Sequence, residues 1–372
     1  MPQSRPYLII AQSGRALSAS AAAAGVTTYV IDCFGDLDTR FSTLSNWIVT
    51  ATEFGLNTNQ LIDILLELKE IPLEGIVTGS GLEANPDVLE FISCHWRLFG
   101  NTAEVVKKCK DPVRFFSLLD DLDIPHPQTN IHLKRGSGEW LLKLTGGAGG
   151  GHIRKYTNVE GIPTHYYIQE KLEGRPLSII FLASGKDVCI VGINETWTYA
   201  SDAYDYRYTG AVSLPDLDAL LYASLEKAVR LLSQELQLIG LCGLDMIVDN
   251  SGQIYVVEIN PRPTATFELH ENYNSLFYAH IMACQGKLIA LPERHKNFRA
   301  HRVIYADSDF IMPRISWPAW VVDKTQPGRK VSAEDPICTI QAQTADLNSV
   351  ILLIEDRKQL LYKQLKKERR AA

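Results

Sequence analysis

Apolar positions in the first hundred residues fall into short blocks separated by amphipathic runs. YLIIA (7–11), TTYVID (27–32) and GIVTG (75–79) are compact and of strand length. RALSASAAAAG (15–25) reads as an alanine-rich helix closed by Gly25, and the spacing predicts another helix around 58–69. Strands and helices alternating in this order predict an α/β unit, a parallel sheet with helices on both faces. Ligands of such sheets sit at the carboxyl ends of the strands, so the loops at 12–15, 32–38 and 79–83 are candidate site loops. The acidic cluster Asp32, Asp36 and Asp38 occupies the second of them.

After residue 110 the pattern changes. DPVRFFSLLDDLDIPHP (111–127) predicts an amphipathic helix with Pro112 in its first turn. A strand ending in a glycine run follows, then YYIQEKL (166–172) and LSIIFLA (177–183). A helix over 217–236 precedes a hairpin, CGLDMIVDNSGQIYVVEINPRP (242–263). The segment after His301 is rich in Trp and Pro, and predicts a small β-rich appendage with a charged terminal helix.

Composition narrows the classes. The 372 residues suffice for two or three domains, and 46% hydrophobic with 22% charged is ordinary for a globular protein. A net charge of −6 argues against a dedicated nucleic-acid binder, and the basic tail KQLKKERR (363–370) reads as a solvated helix end. No apolar run reaches the length of a membrane span, and the N-terminal stretch lacks the apolar core of a signal peptide. Seven cysteines without a CxxC pair argue against a zinc ribbon or a disulfide framework, and fit a reducing cytoplasm.

GSGLEA (79–84) has the form of a dinucleotide fingerprint, GxGxxA. Pro86 delays the following helix, which starts too late to meet a pyrophosphate, so a substrate or structural turn is the favoured reading. The hairpin is more informative. Glu258 and Asn260 are two apart on one strand and share a face, and Asp245 on the other strand can face them across the ladder. Three hard oxygen ligands on one sheet face suit Mg²⁺. A solvent-facing polar strand is the alternative, and the surrounding Met246, Ile247, Val256, Val257 and Ile259 argue against it. In WLLKLTGGAGGGHIR (140–154), Lys143 sits in an apolar strand before Gly146, Gly147, Gly149, Gly150 and Gly151. Such a loop can fold N–H groups around phosphate beside a lysine charge, or serve as a flexible linker. YIQEKLEG (167–174) reads equally as a binding segment or a polar strand end.

Taken in order, these segments resemble the ATP-grasp superfamily up to about His301. The resemblance implies phosphate binding by Lys110 (in CKDPVRFF) and Lys143, and a lid made by Gly146 to Gly151. It implies an adenine hinge at Gln169, Glu170, Lys171 and Leu172, Mg²⁺ on Asp245, Glu258 and Asn260, and a catalytic Arg262 beside Lys143. Where the family often has a ribose-binding Glu, this chain has Pro176, and Glu173 or Ser178 is left to substitute. The implied layout is a Rossmann-like unit (1–108), a lid (109–175), an antiparallel-sheet unit with the metal (176–300) and the appendage (301–372). GSGLEANP, FGNTAEVVKKCKDP, EGRPLS and WPAWVVDKTQPG resemble the predicted ATP-dependent carboligases, a branch similar to biotin carboxylase. Some of its members accompany genes for tetrahydromethanopterin and methanofuran-like coenzymes.

The expected activity is therefore transfer of a phosphoryl group from ATP to a carboxylate, followed by attack of an amine. The expected cofactors are ATP and Mg²⁺. The expected partners are small carboxylates and amines, with neither nucleic acid nor membrane, in a cytoplasmic protein for which a homodimer is one assembly to test. Asp32, Ser80 and Glu83 are the candidate substrate contacts, with helix capping as the alternative role of Glu83. Carboxylation with bicarbonate, and nucleotide sensing without catalysis, remain the rival functions.

Overall fold

The computed structural model describes residues 5–132, 138–157, 161–201, 203–215, 217–271 and 276–371. The first unit is a parallel sheet of β1 (Tyr7–Ile10), β2 (Thr28–Asp32), β3 (Ser45–Ile48), β4 (Gly75–Thr78) and β5 (Leu98–Phe99), in the order β3-β2-β1-β4-β5. Its strands are apolar on both sides because both sides are covered. Leu8, Ile10, Ile31 and Ile76 pack with Leu61 and Leu65 of α3 (Thr58–Glu67) and Leu89 and Ile92 of α4 (Asp87–His95). Ile9, Val30 and Val77 pack with Leu17 and Ala21 of α1 (Arg15–Ala23) on the opposite face. The short α2 (Leu37–Ser42) is capped by Asp36, whose carboxylate accepts the N–H groups of Asp38 and Thr39.

Two helices then lead out of this unit. α5 (Ala103–Lys110) stops because Pro112 keeps Asp111 extended, and Asp111 in turn caps α6 (Pro112–Asp121) through the N–H groups of Val113 and Arg114. Lys110 is thereby left on the last turn of α5. The lid is an antiparallel sheet of β6 (Thr129–Asn130), β7 (Trp140–Leu144), β8 (Arg154–Lys155) and β9 (Tyr166–Glu170), ordered β8-β7-β9-β6.

An antiparallel sheet of eight strands is the centre of the rest. It contains β10 (Arg175–Ser184), β11 (Val188–Tyr199), β12 (Arg207–Ser213), β13 (Ile239–Val248), β14 (Ile254–Asn260), β15 (Phe298–Tyr305), β16 (Val321–Val322) and β17 (Pro336–Thr344). Their order is β14-β13-β10-β11-β12-β15-β17-β16. One face buries Phe181, Leu244 and Met246 against α6 and against Leu225, Val229 and Leu232 of α7 (Ala219–Leu236). Ile180, Leu182 and Leu241 on the other face meet Leu276 and Phe277 of α8 (Leu276–Cys284) and the α1 side of the first sheet.

The segment after residue 300 does not stand apart as an appendage. β15 pairs with β12 through Ala211 and His301, and with β17 over its whole length, so these strands extend the central sheet. α9 (Leu347–Ala371) covers that end with Val350, Ile354, Leu361 and Leu365. The loop after β16 also reaches back to the first unit. Lys324 donates to the Asp38 carboxylate from its amide (3.1 Å) and its ammonium (2.8 Å), and Asp323 accepts from Arg15 Nε at 2.8 Å.

His280 of α8 ties these layers together. Its Nδ1 accepts the Leu241 N–H at 2.8 Å and its Nε2 donates to the Phe99 carbonyl at 3.0 Å, which makes the ring a neutral tautomer. Burial pushes its pKa down to about 4 against a smaller upward pull from Phe99. Protons therefore bind the unfolded chain first, and the ring's contribution to stability is present above pH 6.5 and lost as pH falls towards about 4. The loss is about 3 kcal/mol for a fully shifted ring. Thermal unfolding followed between pH 7 and pH 4 is expected to show falling stability through this window, to which His280→Gln contributes less than the wild type. Equal slopes in the two proteins would show that folding does not shift the ring's pKa.

Candidate active site

Asp245 on β13 and Glu258 on β14 are direct partners in the ladder. The register shifts just beyond Asp245, where Met246 pairs with Val256 and Val257 is left as the extra residue. Asn260, two residues past Glu258, donates from Nδ2 to Asp245 Oδ2 at 2.9 Å. The sequence-predicted set of three oxygen ligands is therefore gathered on one face. Other residues complete the cluster. The Lys110 ammonium donates to Asn260 Oδ1 at 2.9 Å and to the Glu258 carboxylate. Arg262 donates from Nη2 to Asn260 Oδ1 at 3.3 Å and from Nε to the Glu83 carboxylate. The other Glu83 oxygen accepts the N–H groups of Gly81 (2.6 Å) and Leu82 (2.9 Å). One network thus joins the loop after β4, the end of α5 and the β13–β14 hairpin.

Electrostatics separates the two hairpin carboxylates. Burial, then the Glu258 charge, raises Asp245 above the ordinary carboxylate range. Burial pushes Glu258 the same way, but Lys110 and Lys143 outweigh it and hold Glu258 low. Two facing carboxylates suit a hard divalent cation such as Mg²⁺, while Asn260 turns its Nδ2 to Asp245 and its Oδ1 to Lys110 and Arg262, and the Lys110 ammonium supplies positive charge on the Glu258–Asn260 side. Among the described residues no group of three or more His, Cys, Asp or Glu side chains gathers.

The lid brings the second lysine. Lys143 on β7 is 3% exposed and donates to Gln169 Oε1 at 3.1 Å, and Gln169 in turn donates to Thr129 at 3.2 Å. Burial lowers its pKa, opposed by Glu258 and Asp245, a cost that suits a lysine meant for an anion. The glycine run is folded onto both larger units. Gly146 has φ +72° and sits where a Cβ would lie 2.7 Å from Ala84 of the first unit. Gly150 has the same φ and would put a Cβ 2.1 Å from the Tyr206 carbonyl, while Gly149 accepts the Tyr208 N–H at 2.9 Å. The small side of Gly147 is filled by the ring of His152, and Gly151 lies against Tyr204.

Several other candidates are placed differently. The Lys171 ammonium is held by Glu139 (2.7 Å) and Glu173 (2.8 Å) at the surface. The Glu170 backbone N–H bonds the Gln128 carbonyl at 2.8 Å, and Leu172 is half-buried beyond it. The Asp32 carboxylate accepts the N–H groups of Gly14 (3.2 Å), Phe34 (3.2 Å) and Gly35 (2.8 Å), so it binds the loops of its own sheet. Ser80 uses its carbonyl to accept the Gln12 N–H at 2.7 Å. Glu83 does not cap α4, whose N-cap residue Pro86 has no side-chain cap. It anchors Arg262 instead, an ion pair 179 residues apart that no local pattern announces. Burial raises Glu83, but Arg262 and then Lys110 outweigh it and leave its pKa lowered. Their side chains are 4% and 11% exposed, so Glu83→Gln leaves Arg262 without its counter-charge. The expected result is a loss of about 3 kcal/mol in unfolding free energy together with slower turnover. An unchanged denaturation midpoint with a higher KM for one substrate would instead make Glu83 a substrate ligand.

Residues 109–266 match the family model described as an ATP-grasp domain, so the chain carries such a domain. Among solved structures, Rhizobium etli pyruvate carboxylase superposes with a TM-score of 0.75 at 15% identity over 95% of this chain. This chain spans only 37% of that enzyme. The L-amino acid ligase of Bacillus licheniformis gives 0.70 at 14% identity, covering 99% of this chain and 98% of its own. The biotin carboxylase domain of Hydrogenobacter thermophilus 2-oxoglutarate carboxylase, solved with MgADP and bicarbonate, gives 0.70 at 14% identity, covering 92% and 87%. At such identities the likeness establishes the fold.

Proposed function

We propose that this ATP-grasp chain is an ATP-dependent carboxylate–amine ligase that works through an acyl phosphate and releases ADP and phosphate. The observation that carries the reading is the junction itself, where Lys110, Asp245, Glu258, Asn260 and Arg262 form one hydrogen-bonded cluster. Binding alone would not require it. Mg²⁺ held by Asp245, Glu258 and Asn260 would neutralise charge on the phosphate oxygens. Lys110 and Lys143 then hold the transferring phosphoryl group, whose charge builds on its equatorial oxygens. Arg262, oriented by Glu83, stabilises the negative charge that develops on the reacting carboxyl carbon's oxygen when the amine attacks. The glycine loop, folded across the cleft onto Ala84 and Tyr206, keeps water from the activated acid.

The acid and amine are small molecules, and the carboligase resemblance adds tetrahydromethanopterin and methanofuran-like fragments, hence cofactor biosynthesis, to the set worth testing. Among the described residues no helix is long and apolar enough to cross a membrane, and all seven cysteines are free, which supports a reducing cytoplasmic setting. A homodimer is the assembly to test by light scattering. The superposition on biotin carboxylase domains favours one second reading, carboxylation with bicarbonate. A screen of acids and amines for ADP release, with mass spectrometry of products, separates the readings. Release that needs both an acid and an amine, with a product equal to their sum less water, is the expected outcome. Release with bicarbonate and a carboxylatable acceptor supports the second reading, and nucleotide binding without acid-dependent hydrolysis overturns both.

A further inference from the structure

A chain of buried polar side chains outside the metal cluster has no part in the reaction scheme. His301 of β15 donates from Nδ1 to the Glu268 carboxylate at 2.8 Å, and its Nε2 accepts the Tyr208 hydroxyl at 2.6 Å. Glu268, in the 3₁₀ turn Ala265–His270, also accepts from Arg15 Nη1 at 2.5 Å and from Gln341 Nε2 at 3.2 Å. Burial pushes the Glu268 carboxyl up, but Arg15 and then His301 outweigh it and hold it low. A carboxylate only accepts, so the neutral ring carries its proton on Nδ1 and turns Nε2, a base, to the phenol. Two observations place this chain beside the site. Cross-strand partners share a sheet face, and the register runs Asp245–Ser178–Asn194–Ser213 across β13, β10, β11 and β12. Ala211, two residues before Ser213, pairs with His301, so His301 and the hairpin carboxylate Asp245 are on one face. Tyr208 is half-buried under the lid, and burial, then Glu268, with Asp245 further behind, raises its phenol. A phenol so raised keeps its proton unless it receives another in exchange.

We propose that Tyr208, His301 and Glu268 form a proton relay that frees the attacking amine. At neutral pH an alkyl amine is an ammonium ion without a lone pair, and it attacks nothing until it loses a proton. In the relay one ammonium proton passes to the Tyr208 oxygen as the phenol's own proton passes to His301 Nε2. The products are a free amine, an intact phenol and an imidazolium paired with Glu268. The amine nitrogen then bonds to the acyl carbon, the carbon–oxygen bond to phosphate breaks, and the second nitrogen proton leaves on that phosphate. Arg15, itself held by Asp323 at 2.8 Å, keeps Glu268 ionised, and Glu268 holds the ring in the tautomer that accepts.

The relay rests on the ligase reading, and the choice of nucleophile keeps the two apart. Hydroxylamine is largely unprotonated at pH 7 and traps an acyl phosphate as a hydroxamate without a base. Wild type, Tyr208→Phe and His301→Gln are assayed with the acid and amine that release ADP fastest in the screen above, and with hydroxylamine in place of the amine. Both variants are expected to lose roughly a hundredfold in kcat with the amine and to stay within about threefold of wild type in hydroxamate formation. Equal losses with both nucleophiles show that the cluster only braces the fold, and overturn the relay. Full activity of Tyr208→Phe with the amine overturns it as well, whatever His301→Gln does. Should His301→Gln unfold, Tyr208→Phe decides alone, since it removes a single hydroxyl. Wild-type hydroxamate formation beside a failed relay leaves the ligase reading standing. A wild type that releases no ADP with any acid, amine or hydroxylamine overturns both together.

Discussion

Glu258→Gln is expected to keep the wild-type fold at a stability cost of about 3 kcal/mol, because it breaks the buried Lys110 pair from one side, and to lose about a thousandfold in turnover, a change of about 4 kcal/mol in the barrier. The substitution is nearly isosteric, so packing around β14 is kept. What goes is the charge that meets Lys110 and that, with Asp245, would hold Mg²⁺. The Asp245 carboxyl, raised by burial and then by the Glu258 charge, is expected to move back towards its ordinary range. Raising the Mg²⁺ concentration is expected to recover a small part of the rate, because Asp245 and Asn260 remain as ligands. The readouts are kcat for ADP release and its Mg²⁺ dependence, beside a far-ultraviolet spectrum. A rate within threefold or so of wild type at ordinary Mg²⁺ would sink the metal assignment.

Lys110→Met is expected to damage stability and turnover together. The Lys110 side chain is 5% exposed and that of Glu258 is 26% exposed, so removing the ammonium leaves a mostly buried carboxylate facing Asp245 uncompensated. Breaking a buried pair from one side costs about 3–5 kcal/mol. Lowering the pH protonates the two carboxyls and relieves their repulsion. The variant is therefore expected to lose less stability, relative to wild type, at pH 5 than at pH 8. Saturating Mg²⁺ is expected to restore part of the melting temperature, since the cation supplies the charge that the ammonium no longer does. Turnover stays low even then, because the phosphates lose a cation of their own. A melting temperature equal to wild type without Mg²⁺ would show that Lys110 is not the partner of the hairpin.

Much of this site could be read locally. A β-strand repeats every two residues, so Glu258 and Asn260 had to share a face whatever the rest of the chain did, and the DNSG turn returned that strand beside Asp245. Pro112 placed the break between α5 and α6, which put Lys110 at a helix end. The glycine run showed a tight loop because only residues tolerant of positive φ could make it.

Other features depended on contacts that no window of sequence contains. Lys110 meets Glu258 across 148 residues, and Glu83 meets Arg262 across 179. Neither partner differs in type from many surface lysines and glutamates, and burial alone, set by how the units pack, made them one network. Lys171 belongs to YIQEKLEG, a weaker local signal than the apolar strand of Lys143, and the edge of the lid sets it between Glu139 and Glu173 at the surface. The strands after residue 300 looked like a separate piece because pairing partners cannot be read from strand propensity, and only the free edge of β12 turned them into an extension of the central sheet. The sequence by itself determined the elements, their order and the chemistry of the hairpin face, because these follow from periods of two and 3.6 residues. The tertiary structure decided which charges are buried together, because the cost of burying a charge is settled only by the partners that packing brings to it.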